Sequence, residues 1–370
     1  MIIEGVGLVN KYNKKIKVAN RDISLSDLAY FIADIAANHD GDIERSKDLI
    51  WKAKEAGADA VKFQHFLAKD IVSAHGFDHL GGQLSHQSTW DKSVFDVYKQ
   101  YECSRDWTDI LINTCAGANI DFMTTPYDAA AVDMFADRVV AFKIGSGDIS
   151  WIENITLIAA QQKPVFLATG AADMTDVDRA VTAILSVNPN LVLMQCNTNY
   201  TGDDDNFNHI NLNVLKTFAD RYPGMVLGLS DHTPGHATVL GAIALGARVI
   251  EKHFTDDQAR TGPDHGFSMT PGTWAQMVER SRELEAALGD GVKRIEGNEI
   301  DPAIVQRRCL RAADDLAAGT ILQQEHLRAL RPAPENTVEP YRIDDVLNRR
   351  LCVNLKKGEA LYLNQLEEDA

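Results

Sequence analysis

The chain has 370 residues, of which 45% are hydrophobic and 24% are charged, a composition typical of soluble globular proteins. Its formal net charge of −16 argues against nucleic acid or an anionic membrane as a main partner, because like charges repel. The sequence has no apolar run near the ~20 residues of a membrane helix, and its N-terminus lacks the basic-then-apolar order of a signal peptide.

The cysteines are scattered and form no C-x-x-C pair, so neither a disulfide framework nor a zinc knuckle is predicted. They are Cys103, Cys115, Cys196, Cys309 and Cys352. Reduced thiols fit a cytoplasmic protein, and that location is expected.

Residues 1–29 predict an N-terminal extension that folds as a β-hairpin. From residue 30 to 288, short apolar runs rich in Val, Ile and Phe alternate with amphipathic stretches. The runs cover 30–36, 59–64, 120–125, 139–145, 164–170, 191–196, 225–231 and 248–254. Several amphipathic stretches end in Gly-Ala, which predicts a glycine cap. These alternating units predict a parallel TIM (β/α)8 barrel. A doubly wound open sheet is the alternative, but no Gly-x-Gly-x-x-Gly follows the first strand.

The remainder of the chain predicts a polar linker, 289–300, and a small second domain, 301–370. The second domain contains two similar phrases, "DDLAAGTILQQEHL" and "NLKKGEALYLNQL". Each predicts a turn, then a strand and a short helix.

Polar side chains gather at the C-terminal ends of the predicted strands, which form one rim in a barrel, where active sites are built. The rim residues are Asp34, Lys62, Gln64, Thr125, Lys143, Ser146, Thr169, Thr198, Ser230, His232 and His253. Residues two apart share a face of a strand. The pairs expected to point inward are therefore Lys62 with Gln64, Ser230 with His232, and Glu251 with His253. Lys252 is expected to face outward, toward a helix carboxylate.

His232 and His253 hold equivalent places on the seventh and eighth strands, which are neighbours in a barrel. A single histidine there is more often a hydrogen-bonded rim residue. Two neutral imidazoles on adjacent strands favour a divalent transition metal with positions left for water or substrate. Candidate acidic neighbours of the pair are Asp34, Asp231, Glu251 and Asp264.

Lys62 and Lys143 each end an apolar strand. Such a lysine binds phosphate or carboxylate, forms a Schiff base when its pKa is depressed, or pairs with a barrel carboxylate, and all three alternatives stay open. Ser146 in "KIGSGD" suggests a backbone cradle for an anion, although Gly-Ser-Gly is also a common turn.

Two loops carry further polar residues. "ARTGPDHGFS" (259–268), with Arg260, Asp264 and His265, follows the eighth strand, where barrels often bind phosphate or substrate. "DDDN" (203–206) is expected to be a solvated loop and not a metal site.

Seven phrases between about residues 31 and 270 occur in the order "ADIAANHDGD", "AKEAGADAVKFQ", "TTPYD", "FKIGSGD", "GLSDHT", "ALGARVIEKHFT" and "GPDHGFS". Together they resemble the N-acetylneuraminate (sialic acid) synthase family, which includes the legionaminate and pseudaminate synthases. The segment 301–370, with "LRALRPAPEN" and "LKKGEAL", resembles the family's C-terminal antifreeze-like (SAF) domain.

The resemblance implies condensation of phosphoenolpyruvate with the open-chain aldehyde of an acylamino hexose, giving a nine-carbon acid and phosphate. It implies a divalent metal held by residues matching His232 and His253, usually manganese, with magnesium or cobalt as alternatives. It also implies a domain-swapped homodimer in which Arg331 reaches into the second subunit's site.

The resemblance assigns the remaining roles by matching positions. Around phosphoenolpyruvate it places Lys62, Thr125, Lys143, Ser146 and Ser230. Thr169 and Thr198 are further candidate substrate-binding residues. Toward the sugar or water it sets Gln64, Asp148, Tyr200 and Asp264. The candidate catalytic residues are Asp34, Lys62, Lys143 and Asp148.

The chain departs from the family pattern at four positions. Glutamate is usual where Asp34 stands and frequent where Asp148 stands. Ala168 replaces the serine of an "STG" turn, and Thr201 replaces a proline. The acceptor therefore stays open between N-acetylmannosamine and a diacetamido-trideoxyhexose, with selectivity expected in loops 73–92 and 199–209.

Two other functions are compatible with the sequence. One is a metal-independent Schiff-base aldolase that uses Lys62 or Lys143. The other is a non-catalytic sugar-binding relative, suggested by Ala168 and Thr201. The histidine pair, both lysines and the near-complete set of motifs favour the condensing enzyme.

Overall fold

The computed structural model describes residues 12–80 and 82–367, which divide into two compact units between Gly289 and Asp290. Residues 1–11 of the predicted extension and 368–370 of the predicted second domain lie outside the described residues. In the described ranges, no helix is long and apolar enough to cross a membrane.

The first unit begins with an antiparallel hairpin of β1 (Lys15–Val18) and β2 (Arg21–Ser24), as the sequence predicts. Ile16, Val18 and Ile23 are fully buried and pack against residues inside the barrel. Arg21 Nη1 donates to Asp59 Oδ1 at 2.7 Å. The hairpin therefore closes the N-terminal end of the barrel, which leaves the opposite end for ligands.

In the described residues the parallel strands close into one barrel in chain order, with the last strand paired to the first. They are β3 (Tyr30–Asp34), β4 (Ala60–His65), β5 (Asp121–Pro126), β6 (Phe142–Ile144), β7 (Val165–Ala168), β8 (Leu191–Cys196), β9 (Val226–Asp231) and β10 (Ala247–His253). The predicted (β/α)8 barrel is confirmed, and closure rules out the open-sheet alternative.

Helices follow the strands and cover their outer faces. They are α1 (Ile43–Glu55), α2 (Ala68–Ile71), α3 (Ala74–Asp78), α4 (Val94–Gln100), α5 (Thr108–Ala118), α6 (Ala129–Phe135), α7 (Ile152–Ala160), α8 (Met174–Leu185), α9 (Val214–Arg221), α10 (Ala237–Ala244) and α11 (Pro271–Leu288). The Asp42 carboxylate caps α1 by accepting two backbone N–H groups. Gly57 and Gly246, with φ of 93° and 99°, end α1 and α10 as predicted.

Strand register brings the polar residues of the rim level with one another. Asp34 pairs in register with Lys62 on one side and with His253 on the other. Ser230 of β9 stands level with Glu251 of β10. Residues far apart in sequence thus arrive at one end of the barrel at the same height.

The second unit contains α12 (Ile300–Gln306) and an antiparallel pair, β11 (Cys309–Ala312) and β12 (Leu327–Leu330). Its two similar phrases pair with each other, since Leu316 and Leu355 exchange both backbone hydrogen bonds at 2.8 Å. Each phrase turns at a glycine of positive φ, Gly319 or Gly358, and ends in a turn of 3-10 helix. The predicted turn and short helix are confirmed, and the predicted strands are isolated bridges.

Candidate active site

Lys62, at the carboxyl end of β4, lies in a cluster of polar side chains and is 2% exposed. Its Nζ donates to Asp34 Oδ2 at 2.7 Å and to Thr125 Oγ1 at 3.2 Å. Gln64 Nε2 donates to the same Asp34 oxygen at 3.0 Å. The shorter Asp34 side chain therefore still reaches both partners.

The pKa of Lys62 bears on the Schiff-base alternative. Burial by itself would lower this pKa, but the carboxylates of Asp34 and Glu251 raise it above its ordinary value. A Schiff-base lysine needs a depressed pKa. The surroundings of Lys62 favour a permanent ammonium that binds anions.

The second lysine, Lys143 on β6, lies beside Glu251, with 3.2 Å between Nζ and Oε1. The same oxygen lies 3.7 Å from Lys62 Nζ and accepts from Ser230 Oγ at 3.3 Å. Glu251 Oε2 is buried without a hydrogen-bond partner among the described residues. Sequence reasoning treats Glu251 only as a neighbour of His253, and its place between two lysines is a finding of the structure.

A tight turn after β7 lies against Ser146, the residue for which an anion cradle is predicted. The Gly170 N–H donates to Ser146 Oγ at 2.9 Å. A Cβ on Gly170 would lie 2.0 Å from Thr198 Oγ1 and 2.9 Å from Ser146 Oγ, so no side chain fits there. Thr198 Oγ1 is buried and finds no hydrogen-bond partner in residues 12–80 and 82–367. Thr169 differs, since its hydroxyl donates to the Met194 carbonyl at 2.9 Å.

His232 and His253 come together as predicted, with ring centroids 5.3 Å apart. His232 Nδ1 lies 2.9 Å from the Asn197 carbonyl, which can only accept, so Nδ1 carries the proton and Nε2 keeps its lone pair. His253 Nδ1 is buried, and no described residue offers it a hydrogen bond. Burial, with the charges of His232 and Lys62, holds the pKa of His253 well below its usual range.

These two rings fit a divalent metal, because a metal ligand needs a neutral imidazole with an unused nitrogen. The described residues contain no group of three or more His, Cys, Asp or Glu side chains arranged to hold an ion. Two protein ligands would leave the other positions of a metal to water and substrate.

Cys196, at the end of β8, contacts His232 and is a residue that sequence reasoning misses. Burial alone would raise the pKa of its thiol, but a hydrogen bond with His232 lowers that pKa overall. The same contact, against the effect of burial, raises the pKa of His232. A cation at His232 would compete with this contact.

Two carboxyl groups at the site titrate close to neutrality. Asp264 Oδ2 accepts from the Ala37 N–H at 3.0 Å and lies 3.8 Å from His253 Nδ1. Burial raises the pKa of Asp264 to about 6. Burial likewise raises the pKa of Asp148, beyond β6, to about 6. Such groups can take up and release protons at physiological pH.

A cavity of about 620 Å³ opens above these residues. Its polar lining includes Gln64, Ser146, Asp148, Thr198, His253 and Asp264. Its apolar and aromatic lining, supplied largely by the β4–α5 insertion, includes Phe66, Phe77, Leu84, Trp90, Tyr98 and Tyr127. Tyr200 also lines it, with its ring centroid 4.4 Å from that of His232. Sequence reasoning names the loop 73–92 but does not foresee this wall.

Asp231 and Lys252 lie on the opposite face of β9 and β10 and form a buried ion pair. Lys252 Nζ also donates to the Thr233 carbonyl at 2.6 Å, and Thr238 Oγ1 of α10 donates to Asp231 Oδ2 at 2.8 Å. The Asp231 carboxylate is therefore bound on the outer face and does not contact the histidine rings, so the expected contact is wrong although Asp231 precedes His232 in the chain. Lys252 is structural as predicted, but its partner belongs to the adjacent strand and not to a helix.

The loop after β10 is fastened to the turn before α1. Arg260 Nε donates to Asp40 Oδ2 at 3.0 Å, and His265 Nε2 lies 2.9 Å from Asp40 Oδ1. These contacts hold the loop where Asp264 lines the cavity. In the other loop, 203–206, the three aspartates are exposed as expected, whereas Asn206 is buried and donates to Thr201 Oγ1 at 3.1 Å.

Arg331 belongs to the second unit and is exposed. The carbonyl of the next residue, Pro332, accepts from Arg311 Nη2 at 2.6 Å and from Cys309 Sγ at 3.3 Å. The backbone beside Arg331 is thereby fixed, while its role in a second subunit stays a prediction.

Comparison with known proteins adds two family matches. The sequence model of the NeuB family matches residues 49–293, and that of the SAF domain matches residues 307–367. The resemblance drawn from the motifs and the predicted small SAF domain are both confirmed.

Individual relatives match along nearly the whole chain. The N,N'-diacetyllegionaminic acid synthase of Legionella pneumophila is 32% identical over 96% of this chain and 99% of its own length. The protein of the same name from Campylobacter jejuni is 33% identical over 89% of this chain and 98% of its own. The crystal structure of the N-acetylneuraminic acid synthetase from Leptospira borgpetersenii is 26% identical over 78% of this chain and 94% of that one, with a TM-score of 0.68.

Proposed function

We infer that this chain, which belongs to the NeuB family, is a divalent-metal-dependent nonulosonic acid synthase that joins phosphoenolpyruvate to an acylamino hexose. Membership of the family supports the assignment of a carbon–carbon bond-forming reaction. The metal, the acceptor sugar and the residue roles are the proposed part. The observation that supports them best is one cavity lined by His253, Gln64 and an apolar wall, with His232 next to His253 and the two buried lysines next to this lining.

Phosphoenolpyruvate is bound through its phosphate and carboxylate. Lys62 and Lys143 supply two positive charges, and the hydroxyls of Thr198 and of Ser146, which the Gly170 N–H holds in place, supply hydrogen-bond donors. Thr125 and Ser230 orient the lysine cluster. Fixed donors in a buried site stabilise charge that develops during the reaction.

His232 and His253 would hold the metal, and manganese fits two imidazoles with oxygen ligands from water and substrate. When bound, the metal supplies Lewis-acid polarisation of the acceptor aldehyde. Asp264, beside His253, would orient water or a sugar hydroxyl there. Asp34 holds Lys62 and Gln64 in place from the other side.

The bond changes follow from the substrates. C3 of the enol attacks the aldehyde carbon, water adds to C2, and cleavage of the C2–O bond releases inorganic phosphate and leaves the 2-keto acid. The water loses both of its protons, one balancing the proton that the aldehyde-derived alkoxide gains and the other leaving with the phosphate as the C2 hydroxyl becomes the keto group. Asp148 and Asp264, whose pKa values are about 6, are the groups that can exchange these protons.

The cavity wall favours a diacetamido-trideoxyhexose over N-acetylmannosamine as the acceptor. Phe66, Phe77, Leu84 and Trp90 offer apolar surface and no hydrogen-bond acceptor for extra hydroxyl groups. A sugar with a second acetyl group and a methyl at C6 buries more apolar area against such a wall. The legionaminic acid synthases among the relatives agree with this preference.

The working assembly is proposed to be a domain-swapped homodimer, with Arg331 contributing to the site of the second copy. The fixed backbone beside this exposed residue supports a defined role for its guanidinium. The free cysteines support a reducing, cytoplasmic setting.

The test is a screen for phosphate release from phosphoenolpyruvate with each candidate sugar, with the product identified by mass. We expect turnover with the diacetamido-trideoxyhexose, its loss on chelation and its return with manganese. Phosphate release that survives complete metal removal would contradict the metal role. A borohydride-trapped adduct on Lys62 or Lys143 would instead support the aldolase, and sugar binding without turnover would support the non-catalytic alternative.

A further inference from the structure

Glu251 is a buried carboxylate for which the proposed reaction gives no task. It is 4% exposed, and one of its oxygens faces Lys143 Nζ at 3.2 Å, Lys62 Nζ at 3.7 Å and Ser230 Oγ at 3.3 Å. Its other oxygen is buried without a hydrogen-bond partner among the described residues. Burying a carboxylate oxygen without a hydrogen-bond partner costs folding free energy, so the presence of Glu251 at this position suggests a functional role.

The two lysines depend on Glu251 to different degrees. Lys62 has a closer counter-ion, because Asp34 Oδ2 lies 2.7 Å from its Nζ. For Lys143, Glu251 is the one ion-pair partner within the described part of the chain. An incoming phosphate or carboxylate must therefore compete with Glu251 for Lys143.

We propose that Glu251 is a positioning residue that holds the two ammonium groups together and, by its negative charge, limits how tightly the site binds inorganic phosphate. The inference rests on the proposed function, in which phosphate is a product. A site with two lysines and no opposing charge would hold a dianion strongly, and a tightly held product slows turnover. Glu251 keeps the lysines in place between substrates and favours release of phosphate.

The alternative hypothesis is that Glu251 has only a structural role in the barrel interior. The structural hypothesis and the electrostatic hypothesis predict opposite changes in phosphate affinity when Glu251 is replaced. If Glu251 merely orders the lysines, its loss loosens them and phosphate binds more weakly. If its charge opposes the anion, a neutral residue of the same shape lets phosphate bind more tightly.

Glu251→Gln separates these outcomes, because glutamine keeps the length and one acceptor oxygen but removes the charge. Titration calorimetry of inorganic phosphate into the metal-free full chain should show a Kd at least about tenfold lower than for the wild type, given the strength of close charge interactions in a protein interior. With substrates and manganese, kcat should fall while KM for phosphoenolpyruvate falls or stays constant. Weaker phosphate binding, or an unchanged Kd, would overturn the proposal.

Glu251→Asp is the companion variant, because it keeps the charge but withdraws it by one methylene. The Kd of this variant for phosphate should lie between the values for the wild type and for Glu251→Gln. If the glutamine variant does not fold, the aspartate variant is used for the test instead. A value equal to or above that of the wild type would then overturn the proposal.

Glu285→Gln is the matched control, since Glu285 accepts the Ala29 N–H at 2.6 Å, away from the lysines, and should leave phosphate affinity unchanged. A wild-type protein that binds neither phosphate nor phosphoenolpyruvate and condenses no sugar would refute the proposed function itself. A working wild type with weaker phosphate binding in Glu251→Gln would refute only the role of Glu251.

Discussion

Two buried groups of lysine and carboxylate lie on opposite faces of β9 and β10, and they differ in how fully they are paired. On the outer face, Asp231 accepts from Lys252, Thr233 and Thr238. On the inner face, one oxygen of Glu251 is shared by two lysines and a serine, and the other has no partner in the described ranges. A buried charged group whose hydrogen bonds are all satisfied within the protein has no free capacity to bind a ligand, whereas a group with an unsatisfied oxygen has such capacity. The outer group is structural, and the inner group belongs to the binding site.

The largest effect of a substitution is expected on the inner face, at His253. His253→Ala should lower metal-dependent turnover by more than about 100-fold, the upper range for disturbing residues around a metal site. The unfolding midpoint should change little, because no described residue hydrogen-bonds His253 Nδ1. Manganese binding followed by electron paramagnetic resonance reports the loss directly. His209→Ala, at an exposed position, is the control, and full activity of His253→Ala would refute the metal assignment.

Lys143→Met tests the inner group further. Removing one partner of a buried charge pair at a binding site typically costs 2–5 kcal/mol, so kcat/KM for phosphoenolpyruvate should fall by about 100-fold. Stability should suffer less, because Glu251 keeps Lys62 and Ser230 nearby. Steady-state kinetics and denaturant unfolding on the same preparation measure both quantities.

Lys252→Met is the matching change on the outer face. It leaves the buried Asp231 carboxylate without its ammonium partner, which should reduce the free energy of unfolding by about 3–5 kcal/mol. The kinetic constants of the folded fraction should stay close to those of the wild type. If Lys143→Met lost more free energy of unfolding than Lys252→Met, the assignment of the outer group to stability and of the inner group to ligand binding would be wrong.

A smaller effect is expected at the cradle. Gly170→Ala introduces a Cβ 2.0 Å from Thr198 Oγ1, so the threonine must move and KM for phosphoenolpyruvate should rise by roughly tenfold, the value of one ordinary hydrogen bond. Gly272→Ala in α11 is the control, because a Cβ there also meets nothing within 4 Å and the residue does not line the cavity. Equal KM values for the two variants would show that Thr198 and the Gly170 turn do not bind the anion.

A pH-dependent effect on stability alone is expected at Asp148, a carboxyl without an ion-pair partner among the described residues. Burial raises its folded-state pKa from 3.8 to about 6, so the folded state binds this proton more tightly than the unfolded state. Its favourable contribution is complete below about pH 4 and is lost as pH rises through 6. Asp148→Asn should therefore stabilise the protein by about 1–3 kcal/mol above pH 6 and by nothing below pH 4. Unfolding curves at pH 4 and pH 8 that differ from the wild type by the same amount would contradict this sign.

Much of the fold and part of the site follow from local sequence patterns. The apolar runs mark the barrel strands because a strand buried on both faces needs Val, Ile and Phe throughout. The glycines at 57 and 246 mark helix ends because their positive φ is unfavourable for other residues. Strand alternation sends His253 and Glu251 inward and Lys252 outward. The prediction that Asp231 contacts the histidine pair was wrong. It relied on the position of Asp231 next to His232 in the sequence and ignored that adjacent residues of a strand point to opposite faces.

The sequence by itself determined the barrel, its polar rim, the histidine pair and the family, since these depend on short-range periodicity and on motifs in fixed order. Only the tertiary structure decided that Glu251 stands between Lys62 and Lys143, that Gly170 leaves room for the Thr198 hydroxyl, and that the β4–α5 insertion forms an apolar wall. These facts depend on strand register and on loop packing between segments distant in the chain. Local patterns carry no information about such distances, and the chemistry of the site depends on them.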